Sequence, residues 1–319
     1  MWQHAISAAV EDDYRQRVVN TVVRARNRED VTIDAALVRQ LLDSQFPEAK
    51  ALPVGAHFEG RDCIVWRLGD QWAMRMPLHQ QAAAKQTTET AWMAHIGKAW
   101  PFAAPVPVRV GRPSADFPWA WTVVPWINGT PAHVSPLDRL GVAQLGAALR
   151  ALHVPAPAEA PRHPTRSLSL LKRSDRVSER LEALASASAS SSWRLNAKAA
   201  ARVFHDGAIT PRPAASWTHL DLHPGNVLTD DGELAGIIDW SESAAGDPAA
   251  DLGQALVLVG QDGWDALTIG YGPIDARTFA RARAEGVYLA LSFAAEMKGP
   301  RAAAGWAGLE ALGVAHRTR

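Results

Sequence analysis

The spacing of apolar positions divides the chain into a strand-rich early part and a helix-rich later part. Residues 1–50 are predicted as a helical extension, with one apolar stripe over residues 33–46. Three short strands separated by Gly-containing turns follow, over residues 52–59, 63–68 and 71–76. A helix is predicted over residues 80–97, and then an apolar strand that begins at residue 117 and runs into a turn at Gly129.

The later part has mainly the 3.6-residue period of amphipathic helices. Helices are predicted over residues 137–152, 167–184, 193–206, 248–259 and 276–297. Asp247 before Pro248 is typical of a helix start, and Pro300 is expected to end the last helix.

One break in this helical pattern holds the most informative residues. Asp221 and Asn226 flank a Pro-Gly turn, and two short apolar runs separated by an Asp-Gly turn then lead to Asp239. Asp-Gly between apolar runs predicts a β-hairpin, which would fold Asn226 back almost opposite Asp239. Their oxygens could then share a hard cation such as Mg²⁺, with Asp221 close by to accept a proton from a hydroxyl group.

A zinc site is the rival interpretation of the same segment. His219, Asp221 and His223 alternate, and on a strand all three would face one side, as in a metal-dependent hydrolase. That interpretation leaves the spacing of Asn226 and Asp239 unexplained.

A second pair of charged residues lies in the strand-rich part. Glu89 falls on the apolar stripe of its predicted helix together with Trp92 and Met93, where a carboxylate needs a partner. Arg75, near the end of the preceding strand, is the expected partner. A plain structural ion pair and a contact to nucleotide phosphate are both compatible with this pattern.

Composition narrows the class of protein. The 319 residues are 47% hydrophobic and carry a formal net charge of +0, which favours no nucleic-acid or membrane partner. The single cysteine, Cys63, allows no internal disulfide, and no apolar run is long enough for a membrane helix, so we expect a soluble cytoplasmic protein. We expect a monomer or a homodimer.

The motif His219-x-Asp221-x-x-x-x-Asn226, followed by Asp239, resembles the catalytic and metal-binding loops of the protein-kinase-like superfamily. With Ile-Asp239-Trp-Ser-Glu and Gly-Asp247-Pro-Ala-Ala-Asp251, the segment is most similar to the aminoglycoside phosphotransferase family, and also resembles macrolide and hygromycin phosphotransferases. Trp-Ser after Asp239, where protein kinases have Phe-Gly, favours a small-molecule kinase.

The resemblance implies an α+β, two-lobed protein-kinase-like fold with a small N-terminal β-sheet lobe and a larger, mainly helical C-terminal lobe. Its boundaries here would be residues 51–124 for the first lobe, 125–131 for the linker and 132–319 for the second lobe. ATP or GTP would be the phosphate donor, with Mg²⁺ required. The implied roles are Asp221 as catalytic base, Asn226 and Asp239 as metal ligands, Arg75, Glu89, Pro125, Trp126 and Ile127 at the nucleotide, and His219, Asp247 and Asp251 as structural support.

The acceptor is expected to be a small antibiotic-like molecule, either an aminoglycoside or a macrolide, which would be inactivated by phosphorylation. Residues 206–296 contain fourteen Asp or Glu against four Lys or Arg, an excess that suits a cationic acceptor. The acceptor-site candidates are therefore acidic: Glu242, Asp262, Asp265 and Glu296. A choline, amino-sugar or sugar kinase and a non-catalytic nucleotide-binding protein of the same fold remain alternatives.

Overall fold

A computed structural model of the protein describes residues 23–24, 31–188, 192–296 and 298–318. The chain separates into two compact units, Met1–Lys98 with Pro105–Trp126, and Ala99–Ala104 with Ile127–Arg319. The division between Trp126 and Ile127 falls inside the predicted linker at 125–131. The assignment of Ala99–Ala104 to the second unit is not evident from the sequence.

The first unit is built on a five-stranded antiparallel sheet. Its strands are β3 (Val54–Glu59), β4 (Cys63–Leu68), β5 (Trp72–Pro77), β6 (Arg109–Gly111) and β7 (Trp121–Pro125), in the order β3-β4-β5-β7-β6. The three strands predicted before residue 77 are confirmed within two residues at each end. Met74 and Met76 are fully buried on one face of β5, where they pack in a cluster with Trp121.

Among the described residues, this unit has two α-helices. Helix α1 (Ala35–Gln45) begins at Asp34, whose Oδ1 accepts from Leu37 N at 2.9 Å, and it adds Leu41 and Leu42 to the buried cluster. Helix α2 (Gln80–Ile96) carries Glu89. Most of the predicted helical extension lies outside the described residues, which before α1 include two short paired strands, β1 (Val23–Arg24) and β2 (Thr32–Ile33).

The second unit is mainly helical, which confirms the predicted α+β architecture with a strand-rich first part and a helical second part. Its helices are α3 (Arg139–Leu152), α4 (Ser174–Ser188), α5 (Ala197–Ala208), α6 (Ala249–Tyr271), α7 (Ala276–Ala294) and α8 (Gly299–Ala311). Its short strands are β8 (Thr130–Pro131), β9 (Trp193–Leu195), β10 (Ser216–Thr218), β11 (Val227–Asp230), β12 (Glu233–Ile237), β13 (Ala244–Gly246) and β14 (Ala315–Arg317). No helix among the described residues is long and apolar enough to span a membrane.

Helix α6 reverses direction in its middle. The prediction ends this helix at Val259, and Gly260 indeed leaves the helical conformation with φ 73° and ψ 178°. A straight helix would separate Asp251 from Tyr271 by about 30 Å. Instead, the His153 ring contacts both side chains, with Nε2 3.1 Å from Asp251 Oδ2 and Nδ1 2.9 Å from the Tyr271 hydroxyl. The second half therefore runs back beside the first.

Glycines allow α3 to pack tightly on this returning half. A Cβ on Gly146 would lie 2.1 Å from Leu267 O, and one on Gly270 would lie 1.8 Å from Ala143 O, so a larger residue at either position would push the helices apart.

Three predicted helices differ from the observed ones. Residues 193–195 form β9, paired with β14, and α5 begins only after Asn196, whose Oδ1 accepts from Ala199 N at 3.0 Å. The helix predicted from residue 167 begins as a 3-10 turn at Leu170–Arg173 before α4. Pro300 does not end the last helix but lies in the first turn of α8, where a proline needs no N–H partner.

Candidate active site

The loop between β10 and β11 carries Asp221 and has an unusual backbone. Leu220 adopts a left-handed conformation with φ 65°, which is costly for a residue with a Cβ. Its side chain is fully buried in a small cluster with Ala244 and Ala250. Burial of the Leu220 side chain helps to offset the backbone cost and fixes the direction in which Asp221 leaves the loop.

Asp251, in the first turn of α6, holds this backbone in place. Its Oδ2 accepts from His219 N at 2.7 Å and its Oδ1 from Leu220 N at 2.8 Å. Burial alone would raise the pKa of Asp251, but the hydrogen bond and electrostatic interaction with His153 and the contacts to His219 outweigh burial and lower the pKa. Asp251 is therefore an ionised, buried anchor, in the supporting position that the sequence predicts.

Asp247, the other predicted support, joins α6 to α7. Its Oδ1 accepts from Ala249 N at 3.0 Å, and its Oδ2 lies 2.8 Å from Arg281 Nε and 3.6 Å from Arg212 Nε. Both carboxylate oxygens of Asp247 are therefore engaged within the protein, which is the arrangement of a structural residue.

His219 uses both ring nitrogens inside the loop. Its Nδ1 accepts from Asp221 N at 3.2 Å, so its Nε2 carries the proton and donates to Ile238 O at 3.1 Å. The ring braces Asp221 against the segment that carries Asp239 and has no nitrogen left for a metal. Among the described residues, no group of three or more His, Cys, Asp or Glu could hold a metal ion, so the zinc interpretation loses its ligands.

The predicted hairpin is present as β11 and β12, with the turn at Asp231 and Gly232. Val227 pairs with Ile237, and Ile238 N donates to Asn226 O at 2.9 Å, which places Asp239 one residue beyond the partner of Asn226. The Asn226 Nδ2 donates to Asp221 O at 2.9 Å, and this leaves the amide oxygen as the group that can face a cation.

These two residues fit Mg²⁺ by their donor chemistry. Asp239 is exposed, with φ 59°, and its Oδ1 accepts from the Ser241 hydroxyl at 2.8 Å. Mg²⁺ takes oxygen ligands and in nucleotide-dependent enzymes uses only one or two carboxylates, with water and phosphate completing the shell. One amide oxygen and one carboxylate from a rigid hairpin end meet this requirement.

Trp240 fixes the position of Asp239. It is almost fully buried, its Nε1 donates to Ile237 O at 2.9 Å, and its ring stacks on Trp100 with centroids 4.3 Å apart. The His219 ring meets it edge-on at 4.6 Å. Trp240, which stands where protein kinases have Phe, is thus a packing residue. Because Trp100 stacks on it, the segment Ala99–Ala104 belongs to the second unit.

The predicted ion pair of the first unit is confirmed. Arg75 Nη1 lies 2.5 Å from Glu89 Oε1, and Nη2 lies 3.1 Å from Oε2, so the contact is bidentate, and both residues are buried. Gln86 Nε2 donates to Arg75 O at 3.2 Å. The Arg75 guanidinium is therefore held by β5 and α2 together.

The three linker residues predicted at the nucleotide differ in what their backbone can offer. Pro125 has no N–H, and Trp126 N donates to Gln71 O at 2.8 Å within the first unit. Of the three, Ile127 therefore carries the amide N–H that could still serve a ligand.

Two of the four acidic acceptor-site candidates lie beside the Asp221 loop. Glu296 pairs with Arg301 at 2.9 Å, and the Arg301 guanidinium lies 4.4 Å above Phe293, whose ring centroid is 6.2 Å from that of His223. Glu242 Oε2 lies 2.5 Å from His163 Nε2, on the chain segment that contacts Asp221 from the other side.

The other two acidic candidates are not brought to the site. Asp262 and Asp265 are exposed at the start of the second half of α6, at the end remote from Asp251. The nine residues from Asp251 to the break at Gly260 correspond to about 13 Å of helix. The acidic excess along the sequence is thus divided between the surroundings of Asp221 and an outer surface that carries Asp262 and Asp265.

Three residues around Asp221 were missed by the sequence analysis. Gln254 accepts from Leu222 N and donates to Leu220 O at 2.9 Å, one helical turn from Asp251, so its i,i+3 spacing could have revealed it. His153 and Arg166 come from distant segments and leave no local signal. Arg166 Nη1 donates to Asp221 Oδ1 at 2.7 Å and also contacts Leu220 O.

His223 borders the other side of the carboxylate. Its Nε2 is 4.0 Å from Asp221 Oδ2, and Gly225 N donates to its Nδ1 at 3.0 Å. Burial is the largest cause that lowers the pKa of His223, and the Asp221 charge only partly opposes it. A neutral imidazole with a bound Nδ1 presents an Nε2–H beside the Asp221 carboxylate.

Comparison with known proteins agrees with this fold and motif set. Residues 48–287 match the model of the phosphotransferase enzyme family. Similar solved structures include a GDP complex of wild-type aminoglycoside 2'-phosphotransferase-IIIa, with 16% identity, TM-score 0.57, and coverage of 88% of this chain and 98% of that chain. A macrolide 2'-phosphotransferase type I has 20% identity, TM-score 0.55, and the same two coverages of 88% and 98%.

A third similar structure is the apoenzyme of macrolide 2'-phosphotransferase MphH from Brachybacterium faecium, with 18% identity, TM-score 0.56, and coverage of 86% of this chain and 97% of that chain. A search of curated proteins gave no significant match. Because the family model spans most of the sequence, the chain belongs to the phosphotransferase enzyme family and is an enzyme of the nucleotide-dependent, kinase-like class.

Proposed function

We propose that the protein transfers the γ-phosphate of ATP or GTP to a hydroxyl group of an antibiotic-like acceptor, either an aminoglycoside or a macrolide. The acceptor oxygen attacks the γ-phosphorus, the bond from that phosphorus to the β–γ bridging oxygen breaks, and the hydroxyl proton passes to the Asp221 carboxylate. The products are the phosphate ester of the acceptor and a nucleoside diphosphate.

Asp221 is proposed as the base because its carboxylate is partly exposed and rigidly directed. Its side chain retains 18% of its accessible surface, while its backbone is held by His219 and Asn226. A fixed carboxylate within hydrogen-bonding reach of the acceptor hydroxyl orients the nucleophile and accepts its proton as the P–O bond forms.

Asn226 Oδ1 and the Asp239 carboxylate are proposed to hold Mg²⁺, which when bound neutralises charge on the nucleotide phosphates. In the first unit, we propose that Arg75, braced by Glu89, contacts nucleotide phosphate through its planar fork. The Ile127 N–H is the proposed donor to the edge of the nucleotide base.

The single observation that carries this proposal is the arrangement of Asp221, Asn226 and Asp239 on one braced loop and hairpin. The acceptor class is supported by similar structures, which are named as aminoglycoside and macrolide phosphotransferases. The exposed carboxylate of Glu296 lies near the Asp221 loop, beside Arg301. An acidic group in this position is compatible with an antibiotic that bears amino groups.

The test is nucleoside diphosphate release with ATP and with GTP, in Mg²⁺, across a panel of aminoglycosides, macrolides, choline, sugars and amino sugars. Mass spectrometry of the acceptor should then show the addition of one HPO₃ group. Asp221→Asn keeps the shape of the side chain but removes the base, and we expect kcat to fall on the order of 10³-fold. Asp231→Asn, at the exposed tip of the same hairpin, is the matched control.

Phosphorylation of an antibiotic, lost with Asp221→Asn and kept with Asp231→Asn, would support the proposal. Turnover only with choline, a sugar or an amino sugar would replace the acceptor class and keep the chemistry. Nucleotide turnover that is unaffected by Asp221→Asn or by removal of Mg²⁺ with EDTA would refute the assigned mechanism.

A further inference from the structure

We propose that Arg166 is a positioning residue for the reaction, which holds one oxygen of the Asp221 carboxylate and thereby assigns the other as the proton acceptor. This inference rests on the proposed function, because it gives Asp221 the role of base. It adds a residue from a segment fifty-five positions earlier in the chain, between α3 and α4.

The contacts of Arg166 are to both the backbone and the side chain of the catalytic loop. Its Nη1 donates to Asp221 Oδ1 at 2.7 Å and contacts the carbonyl oxygen of Leu220, the residue with φ 65°. Because one nitrogen bridges the carbonyl and the carboxylate, rotation of the Asp221 side chain would break a charge-assisted hydrogen bond. Arg166 thus restricts the carboxylate as well as balancing its charge.

The segment that presents Arg166 is itself tightly held. We call residues 161–168 the strap. Ala245 N donates to Pro161 O at 2.8 Å, and Ser167 Oγ donates to Ala245 O at 2.8 Å, so both ends of the strap are tied to β13. A surface arginine on a mobile loop would lose such an ion pair to side-chain entropy, whereas a fixed segment preserves it.

His163 organises the middle of the strap. Its Nδ1 accepts from Thr165 N at 3.1 Å and from Arg166 N at 2.8 Å, so its Nε2 carries the proton and faces Glu242 Oε2 at 2.5 Å. The imidazole therefore fixes the backbone of Arg166 directly, and Glu242 fixes the imidazole. Glu242 then acts on the site through His163 and Arg166, which differs from the acceptor contact expected from the sequence.

Because Arg166 binds Oδ1 of Asp221, the acceptor hydroxyl can approach the carboxylate only at Oδ2. The second oxygen, Oδ2, lies on the side of His223, 4.0 Å from its Nε2, and the His223 ring is next to Phe293. The hydroxyl to be phosphorylated must therefore reach Oδ2 from the side formed by His223 and the end of α7. The Arg166 side chain remains 30% exposed, so a small cation in solution can reach its position once the side chain is removed.

The experiment compares Arg166→Ala, Arg166→Lys and the control Arg162→Ala, an exposed arginine of the same strap, with the acceptor found in the panel. We expect Arg166→Ala to lower kcat about 100-fold, as for loss of one fixed charged group in an active site. The KM values for nucleotide and acceptor should change less than about threefold, because the residue acts on the reacting carboxylate and not on ground-state binding. Guanidinium ion added to Arg166→Ala should restore kcat about tenfold and leave the wild type unchanged.

A purely structural role would give a different result. The proposal would be overturned if guanidinium does not restore the activity of Arg166→Ala, if Arg166→Lys loses as much activity, and if the loss accompanies a lower thermal midpoint. Activity of Arg166→Ala equal to that of Arg162→Ala, or a loss confined to the KM for the acceptor, would also overturn it. If Arg166→Ala does not fold, partial kcat in Arg166→Lys with unchanged KM values supports the proposal, and wild-type kcat in that variant overturns it.

Asp221→Asn, measured in parallel, separates this inference from the proposed function. If Asp221→Asn is inactive and Arg166→Ala is fully active, only the role of Arg166 fails. If the wild type transfers no phosphate, or Asp221→Asn remains active, the base assignment fails and the role of Arg166 fails with it.

Discussion

Replacement of Asp251 by Asn should destabilise the second unit and disable the enzyme together. The carboxylate accepts from His219 N and Leu220 N, and it pairs with His153, all in a site with no solvent exposure. An amide has one acceptor oxygen, so one of the two backbone N–H groups would face the amide nitrogen of the new side chain. Loss of one charge-assisted hydrogen bond, with its donor left buried, should cost about 2–4 kcal/mol.

For a unit of this size, such a loss should lower the thermal midpoint by about 5–12 °C. The control is Asp265→Asn, an exposed carboxylate on the same helix, for which we expect less than about 0.5 kcal/mol. The assay is thermal and urea unfolding, followed by kcat at a temperature where both variants are folded. A midpoint for Asp251→Asn within a degree of that of the control would refute the anchoring role.

The same pair of proteins gives a pH test with a defined sign. The folded-state pKa of Asp251 is lowered, so its contribution to stability is fully present well above its unfolded value of 3.8 and is lost as the pH falls through the folded value. Glu285 acts oppositely, because burial raises its pKa. Both proteins contain Glu285, so its contribution cancels when the unfolding free energy of Asp251→Asn is subtracted from that of the wild type. The remaining difference should shrink as the pH falls below about 4. A difference that stays constant to about pH 2 would contradict an ionised anchor.

Three further substitutions test other parts of the structure. Gly260→Ala should lower the free energy of unfolding by about 1–2 kcal/mol, because alanine is strained at φ 73°. The loss would come from the backbone alone, since no atom lies within 4 Å of the added Cβ. An unchanged thermal midpoint would contradict the sharp break in α6. Tyr271→Phe removes the hydroxyl that His153 Nδ1 contacts and should cost about 1 kcal/mol, and no loss would exclude this hydrogen bond. Glu89→Gln removes the charge that braces Arg75 and should lower kcat/KM for the nucleotide on the order of tenfold with little change in the acceptor KM, whereas an equal effect on both would argue against a nucleotide contact.

Features set by neighbouring residues could be predicted from the sequence. The hairpin follows from two apolar runs around Asp-Gly, and the Arg75–Glu89 pair follows from an acid on an apolar stripe directly after a strand. These contacts join residues at most fourteen positions apart, so strand and helix periodicity alone brings them together.

Features that depend on long-range packing could not be predicted. The Arg166–Asp221 contact spans fifty-five positions, and the His153–Asp251 contact spans ninety-eight. The apolar pattern predicts that α6 ends at Val259, whereas the helix continues after the reversal at Gly260. Asp262 and Asp265 lie directly after that reversal, at the end of α6 remote from Asp251, and a count of charges along the sequence does not reveal this placement.

The reversal of α6 links an exposed turn to the chemistry of the Asp221 loop. Burial, followed by the charge of Asp251, raises the pKa of Tyr271 to about 12, so its hydroxyl keeps its proton at neutral pH and can donate to His153 Nδ1. His153 Nε2 then donates to Asp251, and Asp251 accepts from the strained backbone at Leu220. Tyr271 reaches His153 only because the chain turns back at Gly260. A change at Gly260 should therefore lower kcat as well as stability, and it should do so to a similar extent as Tyr271→Phe if this series of hydrogen bonds is the route.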